Sequence, residues 1–113
     1  MGVEIMDQVN ESDWKLFRSR LPRWQERHME NLIQKYSCLL SGPGLASDKF
    51  LELEKRIRED RQHVGVVARM SRSNMYRNLL ALLQDEVITS EDLESFSDDL
   101  RECLSILTGG AQP

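Results

Sequence analysis

Apolar residues recur along most of this chain at steps of three and four, which lays them on helical stripes. The clearest stripe is Leu93, Phe96, Leu100, Cys103 or Leu104, and Leu107, preceded by a matching set, Met75, Leu79, Leu82 and Leu83. The spacing predicts two helices, Met75–Asp85 and Thr89–Leu107, closed over Glu86-Val87-Ile88 as an antiparallel hairpin. Thr89 with Asp92 three residues on is a near capping box, with Asp in place of Glu.

Upstream, Ser12 has the chemistry of an N-cap, and Asp13 sets a negative charge against the helix dipole. Trp14, Phe17 and Leu21 then step by three and four. Pro22 lacks an N–H and pushes Leu21 away from the helical region, so it reads as the first residue of a second helix. The stripe nevertheless stays in phase through Trp24, His28, Leu32, Tyr36 and Leu39, which keeps one kinked helix as the alternative. Trp14, Phe17 and Trp24 are expected in the core, and any exposed member would be a docking residue.

Ser41-Gly42-Pro43-Gly44 ends that helix. Ser47 and Asp48 open the next, whose apolar stripe of Phe50, Leu53, Ile57 and Val64 is narrow. The remainder is charged, with Glu52–Arg56 and Glu54–Arg58 as acid-before-base pairs, the pattern of a solvated face. Gly65 among Val64, Val66 and Val67 breaks the period, so Val64–Met70 is a connector, with Ser71 or Ser73 as the cap of the next helix. These elements predict an all-α fold, a bundle of four to five helices with a C-terminal helix hairpin. Residues 12–107 form the single domain, flanked by a flexible N-terminus at 1–11 and a flexible tail at 108–113.

Composition narrows the function classes more than it names one. Charges interrupt every apolar stripe, so no stretch spans a bilayer, and no membrane partner is expected. Glu4, Asp7 and Glu11 stand where a secretory leader would need a basic region. Cys38 and Cys103 lie on apolar stripes and are expected as two buried thiols in a reducing cytosol.

The net charge of -4 is unevenly spread. Lys15–Lys35 and Arg61–Arg77 are basic blocks, and Asp85–Glu102 is acidic. The arginines are expected to pair with the acidic C-terminal helix.

No constellation in the chain carries obvious chemistry. His28 and His63 are not spaced with Cys, Asp or Glu as a nucleophile or metal set, so no catalytic residue, no metal and no cofactor is expected. Aligned on Asp92, a calcium loop would need ligands where Ala81 and Leu83 stand.

Leu82-Leu83-Gln84-Asp85-Glu86-Val87-Ile88-Thr89-Ser90-Glu91-Asp92-Leu93 resembles the helix-turn-helix pattern of small bacterial oligomerisation modules of the SHOCT type, with Glu86 where Gly is usual. Ala68–Arg77 is similar to the recognition half of a DNA-binding helix-turn-helix, although the acidic overall charge is not the footprint of a DNA binder. Ser12–Arg18, Leu21–Glu26, Ser47–Phe50, Leu53–Ile57 and Phe96–Leu100 resemble small helical proteins of Firmicutes-type bacteria, often found near mobile elements.

The expectation is a non-enzymatic, cytoplasmic protein–protein interaction module, a homodimer or a partner of another protein, serving a mobile element. Its surface would be Arg69, Arg72, Asn74 and Arg77, or the Trp14, Phe17 and Trp24 set. A small DNA-binding regulator using Arg69–Arg77 is the alternative.

Overall fold

In the computed structural model residues 9–109 are described, and all regular structure among them is helical. Asn10 caps the first helix: its side-chain oxygen accepts from the N–H groups of Ser12 (2.7 Å) and Asp13 (3.3 Å). Asn and Ser are near-equal caps, so the choice falls to the residue whose backbone is extended, as Asn10 is. Ser12, the expected cap, lies inside the first turn, and Asp13 is turned into the protein. Residues 9–11 are therefore ordered, with Val9 packed on the core, while 1–8 and 110–113 lie outside the described residues.

Helix α1 runs unbroken over Glu11–Ser41, with Pro22 inside it. The break expected at Pro22 does not occur. Proline inside a helix costs about 3 kcal/mol. Pro22 faces solvent, where water can serve the freed carbonyl, and both flanks of it are anchored: Phe17 and Leu21 before, Trp24 after, all buried. Each such side chain contributes about 1.5–3 kcal/mol, which outweighs the proline.

Gly42 and Gly44, the latter at φ +124°, turn the chain into α2, Ala46–Asp60. Ser47 and Asp48 fall within its first turn, and Leu45 precedes it without a side-chain cap. Lys49 Nζ donates to the Leu40 carbonyl (3.1 Å) and the Tyr36 hydroxyl donates to Asp60, so α2 returns antiparallel along the second half of α1. The segment after α2 is a connector, as its β-branched residues and Gly65 imply. Its turn is closed by the N–H groups of Val66 and Val67 on the His63 carbonyl (2.9 Å each).

A single 3-10 turn, Arg72–Asn74, comes after Ser71 and leads into α3, Met75–Gln84. Helix α3 ends in a Schellman motif: Val87 N–H meets the Leu82 carbonyl (2.9 Å) and Glu86 N–H meets the Leu83 carbonyl (3.1 Å). Glu86 takes φ +59° there, a left-handed conformation that glycine adopts without cost.

The second half of the C-terminal hairpin is not the single helix its stripe predicts. Thr89 leads a 3-10 turn, Ser90–Leu93, with the Asp92 carboxylate accepting the Thr89 N–H (2.9 Å). The chain then re-extends at Ser97, and α4 covers Asp98–Leu107. Ser97 is held open from two sides. Its hydroxyl oxygen accepts from Leu100 N–H (3.2 Å), while buried Asp13 accepts from both the Ser97 N–H (2.9 Å) and its hydroxyl (2.6 Å).

Leu93, Phe96, Leu100 and Leu104 stay buried across the break, facing Met75, Leu79 and Leu82 of α3 and the aromatic stripe of α1. Leu107 is exposed. The first half of α1, α3, the second 3-10 turn and α4 thus form one cored head.

Two substitutions test these local arguments by urea unfolding. Asp13→Ala removes both acceptors of Ser97 and leaves a half-buried N–H without its partner, so it is expected to destabilise by about 1–2 kcal/mol; a loss below about 0.5 kcal/mol would mean that the link is not structural. Glu86→Gly relieves the left-handed strain and is expected to stabilise by about 0.5–1 kcal/mol, with destabilisation as the contrary result.

Candidate interaction surface

Beyond Trp24, α1 buries no further side chain, and α2 buries none at all. The two helices form an arm that projects from the head and stretches the molecule to 53 × 29 × 25 Å. Along the arm, apolar residues step four, three, four: Met29, Ile33, Tyr36, Leu40 on α1, and Ala46, Phe50, Leu53, Ile57 on α2. These are the a and d positions of a coiled-coil heptad.

Met29, Tyr36 and Leu53 are half-buried in the arm. The residues at the other position stand out: Ile33 is 58% exposed, Leu40 46%, Phe50 71% and Ile57 42%. They share one face. On each helix they lie about a quarter-turn beyond the half-buried line (Leu32, Tyr36, Leu39; Lys49, Leu53, Arg56), at about 100° per residue and in the same rotational sense. In an antiparallel pair, equal rotations from the contact line point to the same side. The Lys49–Leu40 and His28–His63 contacts set Leu40 level with Phe50 and Ile33 level with Ile57. Phe50, Leu53 and Ile57 line a shallow groove on this face, bordered by Glu54, Arg58 and Arg61.

A polar knot fixes the arm to the head. Gln25 donates to the Val64 carbonyl (3.1 Å), and the His28 and His63 rings pack with centroids 5.0 Å apart. His63 Nδ1 accepts from Gly65 N–H (2.8 Å), which assigns its proton to Nε2, the atom facing the Asp85 carboxylate. Gly65 is required by space: a Cβ there would lie 2.4 Å from the His28 ring. Burial, followed by the nearby His63, holds the His28 pKa below its usual value, against the opposing pull of Asp60 and Asp85. Arg27 closes the other side, donating to the Val87 carbonyl (2.8 Å) and pairing with Asp92 (3.2 Å).

The residues singled out by sequence are distributed differently. Trp14, Phe17 and Trp24 are all core, so none is an exposed docking residue. Arg72 pairs with Glu11 (2.7 Å) and lies over the Trp14 ring (5.4 Å), and Asn74 donates to Ser71 Oγ (2.7 Å). Arg69 and Arg77 are exposed.

The acidic C-terminal segment is met by Arg20 and Arg27 of α1 and, at Asp85, by His63, not by the arginines of the Arg61–Arg77 block, because α1 is the helix that crosses it. Cys38 is exposed on the arm and Cys103 only half-buried, so neither thiol is buried as expected; burial raises the Cys103 pKa and keeps that thiol protonated. No group of three or more His, Cys, Asp and Glu among the described residues is arranged to hold a metal ion, and no described helix is long and apolar enough to cross a membrane.

The exposed stripe is visible in the sequence as the narrow Phe50–Leu53–Ile57 set. The signal that it lacks a cover is a heptad repeat on both sides of the Gly42–Gly44 turn, which no stripe on one helix alone displays. Comparison with known protein families, with curated proteins and with solved structures finds no match to this chain.

The knot has a pH consequence. With its folded pKa lowered, His28 resists the proton that the unfolded chain takes up below about pH 6.5, so stability rises with pH through that range. Its contribution is whole above about pH 6.5 and declines as the pH falls below it. Urea unfolding at pH 7.5 and 5.5 is expected to show this decline, and a smaller one in His28→Phe, which keeps a ring against His63. An equal decline in the two proteins would assign it elsewhere.

Proposed function

We propose that this protein is a non-enzymatic interaction module, a small adaptor or regulatory protein, that works through the arm. The carrying observation is the row Ile33, Leu40, Phe50, Ile57, four large apolar side chains exposed on one face of an arm that has no buried side chain of its own. Contiguous apolar surface of this kind, rimmed by charge, marks an interaction site far more often than scattered single residues do. Its exposure favours the hairpin of α1 and α2 over the arginine segment and the buried tryptophans as the docking surface.

Other features agree with a binding role. Both histidines are engaged in holding the arm to the head. Service to a bacterial mobile element belongs to the same proposal on the resemblance alone, and a cytoplasmic setting on the two free thiols. Direct DNA binding through Arg69–Arg77 is the weaker reading, since Arg72 is committed to Glu11 and Asn74 to Ser71.

The test compares the wild type with Phe50→Glu/Ile57→Glu as baits in a lysate of its own cells, after circular dichroism has matched their helicity. Both positions are exposed, so the head is expected to fold unchanged. Proteins (or further copies of the chain) that the wild type holds and the variant loses are the expected result. Equal retention by both, or a wild type that binds neither itself nor another protein, would overturn the reading.

A further inference from the structure

We propose that the arm's exposed face is covered by a second copy of the chain, the two arms lying against each other and pointing the same way. This deepens the proposed function and rests on it. A pair of antiparallel helices with apolar a positions turned outward is half of a four-helix bundle. Joined about a two-fold axis along the arm, two such pairs place α1 of each copy opposite α2 of the other. Ile33 then meets the level of Ile57, and Leu40 the level of Phe50, so both apolar layers close.

The size fits. From Glu26 to Ser41 the arm has sixteen residues, about 24 Å at 1.5 Å each, and it is two helices, about 20 Å, wide. That is roughly 500 Å² in outline, which side-chain relief raises toward the roughly 800 Å² per partner of a stable interface.

Rim charges select this arrangement over its rival. Glu30 borders the face on α1 near the base of the arm, with Glu26 one turn below, and Arg61, the C-cap of α2, borders it at the same level. Among the described residues none of the three is in an ion pair within the chain. With the arms pointing the same way, Arg61 of each copy comes to the two glutamates of the other. With the arms pointing oppositely, Glu30 faces the Gly42 turn, where the Lys49 ammonium is already engaged by the Leu40 carbonyl, and Arg61 faces Ser47, with Asp48 about half a turn round α2 from the apolar row.

Sedimentation equilibrium of the full chain tests the proposal. The wild type is expected at twice the 13.1 kDa chain mass, and Phe50→Glu at the mass of one chain with unchanged helicity. Arg61→Glu and Glu30→Arg are each expected to weaken the dimer about tenfold by setting like charges opposite one another at two symmetric places. The double reversal Glu30→Arg/Arg61→Glu is expected to bind at least about threefold tighter than either single reversal, with Glu26 still opposing the new carboxylate.

A dimer that survives Phe50→Glu, or a double reversal no better than the single ones, would overturn the proposal. So would a wild type that stays monomeric at about 100 μM, a concentration well above the dissociation constant of an interface of this size. In that monomeric case, proteins lost from the Phe50→Glu/Ile57→Glu bait would still support an interaction module, with another protein as its occupant.

Discussion

A helix of 31 residues is about 46 Å long, and the head that packs on it covers only the half carrying Trp14, Phe17, Leu21 and Trp24. The length of α1 is the constraint that dictates the rest of the architecture. One half must leave the core, and the chain answers by folding α2 back along it. Head and arm are therefore two uses of one helix, joined by uninterrupted backbone and not by a linker. Any force on the arm is passed to the aromatic stripe of the head through the same hydrogen-bonded rod.

Polar fastenings decide where on that rod the other elements sit. Asp13, at the first turn, holds Ser97 by two hydrogen bonds and so positions the start of α4. Arg27, four turns later, holds the loop after α3 by its Val87 carbonyl and the last 3-10 turn by Asp92. The His28–His63 stack and Gln25 then set the root of the arm. Hydrophobic burial supplies most of the stability of the head, but it is non-directional. The fastenings convert a greasy surface into one register, each stabilising modestly and costing more if broken.

This division explains what was legible in the sequence. Steps of three and four identified most core residues of the head, though not Tyr76, Val87 or Ile88, because periodicity reports which side of a helix is apolar. The same signal ran across Ser97 without a pause, since Leu93, Phe96, Leu100 and Leu104 keep their phase whether or not the backbone opens between them. What opens it is Asp13, 84 residues away, and local pattern carries no trace of a partner at that distance. Pro22 misled for a related reason. Its local cost argues for a break, and the packing on both sides that overrides it is tertiary. Glu86 was legible by position: the helix-turn-helix pattern has glycine there, and the backbone makes the glycine-like turn regardless of the side chain. The tryptophans were weighed as docking residues by type, whereas burial in the head had already claimed them.

The arm is the place where period and burial disagree, and that disagreement carries the functional argument. Its two helices are joined by polar links, Lys49 to the Leu40 carbonyl and Tyr36 to Asp60, with burial and the neighbouring carboxylate pushing the Tyr36 pKa up to about 12 so that the phenol remains a donor. Ion pairs along α2 add a few tenths of a kcal/mol each. None of this removes Ile33, Leu40, Phe50 and Ile57 from water, although an amphipathic helix draws most of its stability from packing that face. A chain that repeats apolar residues at heptad spacing on two adjacent helices, and fixes the register between them with polar contacts, presents a formed surface rather than a loose one. Preorganisation of that kind lowers the entropic cost of association, because few groups remain to be ordered when the cover arrives.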